Sequence, residues 1–205
     1  MKPEIFTNHP RKKNGKITTP SRVTLERNIE TILDLATSEE YIYGCYWYQD
    51  ANAYAQYLAN LSGLKVSQVS QVISILSPQV DWETNKRNAA VFLAEGLSCK
   101  IFASQKQKLN CAGVLLDAYS IPQKALKTYS FASTIADPDN FTGVVIDRHA
   151  IAVAFGYLKA TPVSITRSRY LKCAEAYARV ATRHGLLPHQ VQAITWITYK
   201  RIVQR

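Results

Sequence analysis

The 205-residue chain predicts an all-α domain, and three observations carry that prediction. Apolar residues recur every three to four positions through successive segments, the period of a helix with one buried face. Glycine, proline and aspartate or asparagine breaks separate those segments. No alternating strand pattern extends beyond Thr142-Gly143-Val144-Val145-Ile146, which lies between helical segments and is too isolated to build a sheet.

The elements follow in order. Pro3, Pro10, Gly15 and Pro20 punctuate a basic polar start with no apolar period, so residues 1–22 read as a flexible basic arm ahead of a domain over 23–205. Behind a Ser21 or Thr24 cap, Val23, Ile29, Ile32, Leu33 and Leu35 mark the first helix. Ala51, Tyr54, Ala55 and Leu58 mark the second. Val66, Val69, Val72, Ile73 and Leu76 stripe the third, with Ser67 near its start and Pro78 near its end. Helical patterns over 84–95, 104–119, 123–135, 148–158, 168–184 and 189–203 bring the total to about nine. Their breaks are Gly96, Ile121-Pro122, Asp137 to Asn140, Thr161-Pro162 and Gly185 to Pro188.

Composition narrows the class. At 47% hydrophobic and 10% aromatic, the chain is too apolar for a disordered protein and too aperiodic for a fibre. No run approaches eighteen apolar residues and no apolar signal core follows the basic start, so a soluble, intracellular protein with no membrane partner is expected. Cys45, Cys99, Cys111 and Cys173 match neither a metal knuckle nor a disulfide framework, and are expected to be reduced and mostly buried. Neither a metal nor a cofactor is expected.

Charge is uneven. Residues 1–22 carry +5 and residues 159–205 carry +8, around a middle of −3. Clustered cations of this kind are the footprint of a phosphate-backbone binder, because neutralising phosphates releases condensed counterions. A solvated basic face is the alternative.

Three segments carry potential chemistry. Leu76-Ser77-Pro78-Gln79 leads through Trp82 to Asn85-Lys86 as a helix end, a polar corner and the next helix start. Gly143 to Val153 is an apolar run that delivers Asp147, with Arg148 and His149, to the first turn of an apolar helix. Gln192 to Trp196, then Lys200 and Arg201, is an apolar helix with a basic end.

The Leu-Ser-x-Gln corner with Asn85-Lys86, followed by Ile146-Asp147-Arg148-His149, resembles the ordered signatures of the helix-hairpin-helix DNA glycosylase superfamily, of which endonuclease III is a member. The wording LSPQVDWETNKRNA, VVIDRHA and QAITW is also similar to an uncharacterised, largely phage-borne group within or beside it, so a bacterial or phage-infected cytoplasm is the implied setting. The resemblance spans roughly residues 45 to 200 and rests on about twenty positions, through their order and spacing. The superfamily hairpin reads Leu-Pro-Gly-x-Gly-x-Lys-Thr, whereas this chain has Ile121-Pro122-Gln123-Lys124-Ala125-Leu126-Lys127-Thr128 and lacks both glycines. Phosphate anchoring then falls to Lys124, Lys127, Thr128 and the helix N-terminus. The iron-sulfur cysteines of some members are absent as well.

The resemblance implies a DNA-binding, base-flipping enzyme acting at an N-glycosidic bond. Asp147 would be its catalytic carboxylate, stabilising positive charge on the sugar and orienting water. Local sequence alone reads Asp147 as a helix N-cap, and one side chain can serve both roles. Gln79 matches the position that fills the gap left by a flipped base. Trp82, Tyr46, Trp47 and Tyr48 are either stacking rings or core, while Trp196 reads as core. Asn85, Lys86, Arg148 and His149 complete the expected DNA contacts. Lys127 sits where bifunctional members carry a Schiff-base lysine, with Lys124 one helical turn away, but the missing glycines favour a phosphate clamp and hence a monofunctional enzyme. The alternatives are a phage-type base-hypermodification transferase acting on an activated 5-hydroxymethyl pyrimidine, and a catalytically silent DNA binder.

Overall fold

The computed structural model describes residues 6–7, 12–13, 16–158 and 163–204, with the side chains of Lys13 and Lys16 left aside. Half of the expected arm and the break at Thr161-Pro162 lie outside the described residues. Nine α-helices make up about two thirds of the described residues: α1 (Arg22–Asp34), α2 (Ser38–Ser62), α3 (Val66–Leu76), α4 (Trp82–Glu95), α5 (Gln105–Leu115), α6 (Leu126–Ala136), α7 (Arg148–Phe155), α8 (Arg167–His184) and α9 (Pro188–Gln204). A 3-10 turn at Gly96–Ser98 and a two-residue antiparallel ladder, β1 (Lys12–Lys13) with β2 (Lys16–Ile17), are the additions. The all-α class therefore holds, and Thr142 to Ile146 joins no sheet.

The chain forms two compact units. Unit 1 is Met1–Trp47 with Thr142–Arg205, and unit 2 is Tyr48–Phe141.

Unit 1 is built around α7. Every residue from Ala150 to Phe155 is buried, and α1, α8 and α9 all pack on this short helix. So apolar a helix cannot sit at a surface. Gly156 ends it in the left-handed region, at φ 74, and packs against Asn28, which donates to the carbonyl of Ala154 at 3.0 Å. The first part of α2 lies against α9 at Gly44, where a Cβ would come within 2.6 Å of the Cα of Ile194. Glu40 locks the same pair of helices by accepting from Arg201. Of the expected arm, Phe6 is buried and Thr7 bridges Tyr157 in parallel.

In unit 2, α3 is the central helix and packs against α4, α5 and α6. Its residues from Gln68 to Leu76 are buried except Gln71, which is half-buried. Val69, Val72, Ile73, Phe92, Cys111, Val114 and Ile135 fill the core.

Several boundaries differ from expectation. Helix α2 begins at Ser38, well before the apolar period around Ala51, because Ile42, Tyr43 and Tyr46 are exposed and obscure the stripe. Helix α5 stops at Leu115 rather than 119, where the amides of Ala118 and Tyr119 both fold back onto the Gly113 carbonyl. Helix α6 starts at Leu126 rather than 123, because Ala125 N–H bonds the Pro122 carbonyl in a tight turn. The four cysteines are free thiols, and only Cys45 is not fully buried.

Candidate functional site

In unit 1 the carboxylate is delivered by a buried extended run. Val144, Val145 and Ile146 are all buried, and the Tyr170 hydroxyl pins them by donating to the Val144 carbonyl at 2.7 Å and accepting from Ile146 N–H at 3.4 Å. Asp147 follows in extended conformation as the N-cap of α7. Its Oδ1 accepts from the amides of His149 at 2.9 Å and Ala150 at 2.8 Å. Its Oδ2 lies 3.3 Å from His149 Nδ1, and the side chain is 21% exposed. The His149 ring stands edge-on to Tyr199, and Arg148 points into solvent. The capping role of Asp147 is thus realised, and the same bonds fix its direction while leaving part of it accessible.

Two buried tyrosines bond to α7 and to the residues just after it. Tyr177 bonds the Ala150 carbonyl and Thr195 Oγ1, both at 3.4 Å, and Tyr199 donates to the Tyr157 carbonyl at 3.1 Å. Burial pushes the Tyr199 hydroxyl up to about 12 and drives Tyr177 further up, so both stay protonated donors.

In unit 2 the corner after α3 holds Gln79 exposed at φ 66, a left-handed conformation costing a non-glycine residue about 1–2 kcal/mol. Asp81 caps α4 through the Thr84 amide at 2.9 Å, and Trp82 opens that helix half-buried. The Trp82 ring stands edge-on to Tyr54 and Phe131, each at 6.5 Å. Lys86 Nζ lies 5.6 Å from the Tyr54 ring centre and 5.9 Å from that of Trp82, and pairs with Glu83 at 2.9 Å. Trp82 and Lys86 are therefore brought together. Asn85 is not: it is 2% exposed and faces the interior of unit 2, so the expected DNA contact at this position is corrected to a buried one.

The segment from Ile121 to Thr128 is tied to α3 at both ends. Ile121 N–H donates to Gln71 Oε1 at 2.8 Å, and Ser74 Oγ donates to the Thr128 carbonyl at 2.7 Å. Ala125 at the start of α6 offers no side-chain cap. Lys124 and Lys127 are exposed beside that start and Thr128 is half-buried. Lys124 lies in the turn before the helix, so the expected pair of lysines one turn apart on a shared helical face does not form.

Among the other aromatic expectations, Tyr48 is buried core, Tyr46 is 60% exposed, and Trp47 and Trp196 are half-buried. Trp196 is not the core residue expected, because Lys200 Nζ covers it from 4.3 Å at the surface of unit 1. Sequence reasoning missed Tyr170, Tyr177, Gln71 and Ser74, which act only across long sequence separations and carry no spacing signal. It also missed a polar cavity of about 290 Å³ in unit 2, bounded by Lys65, Gln68, Gln71, Asp117 and Tyr119. Among the described residues no group of three or more His, Cys, Asp and Glu side chains could hold a metal, and no helix is long and apolar enough to cross a membrane.

No curated protein and no solved structure matches the chain. Residues 11–202 match the model of a family of unknown function (DUF7178), and the chain belongs to that family.

Proposed function

We propose that this protein is a DNA-binding, base-flipping enzyme that hydrolyses the N-glycosidic bond of a damaged or modified base. The observation that carries the reading is Asp147: a carboxylate fixed by two amides at the head of a buried helix, yet one-fifth exposed. As the bond from the sugar C1′ to the base nitrogen lengthens, its electron pair leaves with the base and positive charge builds on the sugar. Asp147 stabilises that charge and orients a water whose oxygen bonds C1′. One of the water's protons ends on the departing base and the other stays on the new C1′ hydroxyl, leaving a sugar hemiacetal in the strand. His149 beside Oδ2 is a positioning residue for the carboxylate.

Unit 2 supplies contacts of its own. Gln79, exposed at its corner, fits the task of filling a vacated base position, and the exposed Lys124 and Lys127 beside Thr128 fit phosphate. The exposure of Lys127 suits a phosphate contact rather than an amine sheltered for covalent attack, which supports monofunctional chemistry.

The test is incubation with duplexes carrying a panel of damaged and phage-type modified bases, followed by mass spectrometry of free bases and nucleosides. Released free base, with no borohydride-trapped protein–DNA adduct, is the expected result. An altered nucleoside would replace this reading with the hypermodification transferase. Intact nucleosides throughout, with binding retained, would leave a silent DNA binder.

A further inference from the structure

The positive charge of unit 1 is divided along α8. In its C-terminal half Arg179 and Arg183 are neutralised by Glu175, Glu26 and Glu30, with closest approaches of 2.8–2.9 Å. In its N-terminal half Arg167 and Lys172 are exposed and have no carboxylate partner among the described residues. Between them Arg169 is spent on backbone, donating to the Ser164 and Ile17 carbonyls, both at 2.9 Å. The second bond ties the small β1–β2 ladder to α8, and in that ladder Ile17 sits opposite Lys12, another exposed lysine without an acidic partner among the described residues.

A chain of contacts links this end of α8 to the carboxylate. Tyr170, three residues beyond Arg167 and two before Lys172, bonds both Val144 and Ile146, and the next two residues are Asp147 and the exposed Arg148. Arg148 likewise has no carboxylate partner among the described residues. The ladder is thus tied to the first turns of α8 through Arg169, and the residues leading into α7 are tied to the same turns through Tyr170.

We propose that Lys12, Arg148, Arg167 and Lys172 form a grip for the phosphate backbone of duplex DNA, and that the paired C-terminal half of α8 takes no part in it. The inference rests on the nucleic-acid reading above and adds which surface of unit 1 bears the duplex. Mutual repulsion among long, unpaired cations is relieved by a polyanion, whereas arginines already held by carboxylates would have to break those pairs to contribute.

The test measures binding of a short labelled duplex over a several-fold range of salt. Wild-type affinity should fall steeply with salt. The double variant Arg167→Ala/Lys172→Ala should bind about ten-fold more weakly, with a log–log salt slope smaller by about two, since each phosphate contact contributes about 0.9. Arg167→Lys/Lys172→Arg should keep the wild-type slope, and Arg179→Ala should leave it unchanged. A double alanine variant with wild-type affinity and slope would overturn this inference while sparing the nucleic-acid reading, as would an equal loss in Arg179→Ala. A wild-type protein that binds phosphatidylserine vesicles but no duplex would overturn both.

Discussion

Helices α7 and α6 both begin with amides that no intrahelical carbonyl can satisfy. Unit 1 closes its helix with the Asp147 carboxylate, whereas unit 2 starts α6 at Ala125 with no side-chain cap and sets Lys124 and Lys127 beside it. The charge of the two units differs in the same sense. Unit 1 carries 17 basic and 8 acidic side chains, unit 2 carries 8 and 7, so nearly all of the net +10 belongs to unit 1. The difference teaches where each kind of contact belongs. On the proposed nucleic-acid reading, a fixed carboxylate at the start of α7 repels phosphate, so the cations around it would hold the strand, while the nearly neutral unit 2 would rely on a helix end and a few local lysines.

The largest expected effect is on the packing that holds unit 1 together. Gly44→Ala drives a methyl group into the backbone of Ile194, and should cost about 2–3 kcal/mol in denaturant unfolding.

A smaller effect separates the units by pH. Burial alone would raise the Glu40 carboxyl, but its bonds from Arg201 and the Thr37 amide outweigh that and hold it below its ordinary 4.5. A carboxylate lowered in the folded state stabilises fully above the unfolded value and loses that contribution as pH falls through the folded one. Acid unfolding followed by tryptophan fluorescence should therefore be steeper in wild type than in Glu40→Gln, which should cost about 1–2 kcal/mol at neutral pH. Equal acid sensitivity would show that this pair does not hold unit 1.

The smallest effect tests the open helix directly. Ala125→Asp supplies α6 with a capping carboxylate, making it resemble α7. It should raise stability by about 0.5 kcal/mol and weaken duplex binding, because the new carboxylate competes with phosphate. Unchanged or tighter binding would remove the start of α6 from the nucleic-acid surface.

Helix count and order were legible because the apolar stripes of α1, α3 and α8 follow the helical period closely. The start of α2 was hidden by Ile42, Tyr43 and Tyr46, apolar residues on an exposed face that break the pattern. Asp147 was legible as a cap from its place before an apolar helix. The inward face of Asn85 was not, because an asparagine in a polar helix start gives no local sign of its orientation. Nor could spacing reveal that Tyr170 and Tyr177 reach back 24 to 27 residues to hold the run carrying Asp147. The charge totals of the two ends could be read directly, but not which arginines are already paired, since Glu26 and Glu30 lie more than 150 residues from Arg183.

The central claim is that the Asp147 carboxylate performs chemistry beyond capping α7. Asp147→Asn keeps an oxygen that can cap the helix and removes the charge, so single-turnover release of free base should slow by at least about a hundred-fold. Thermal stability and duplex affinity should hold, or affinity should tighten. Base release at near the wild-type rate from a folded, DNA-bound Asp147→Asn protein would contradict the account and leave Asp147 a cap alone.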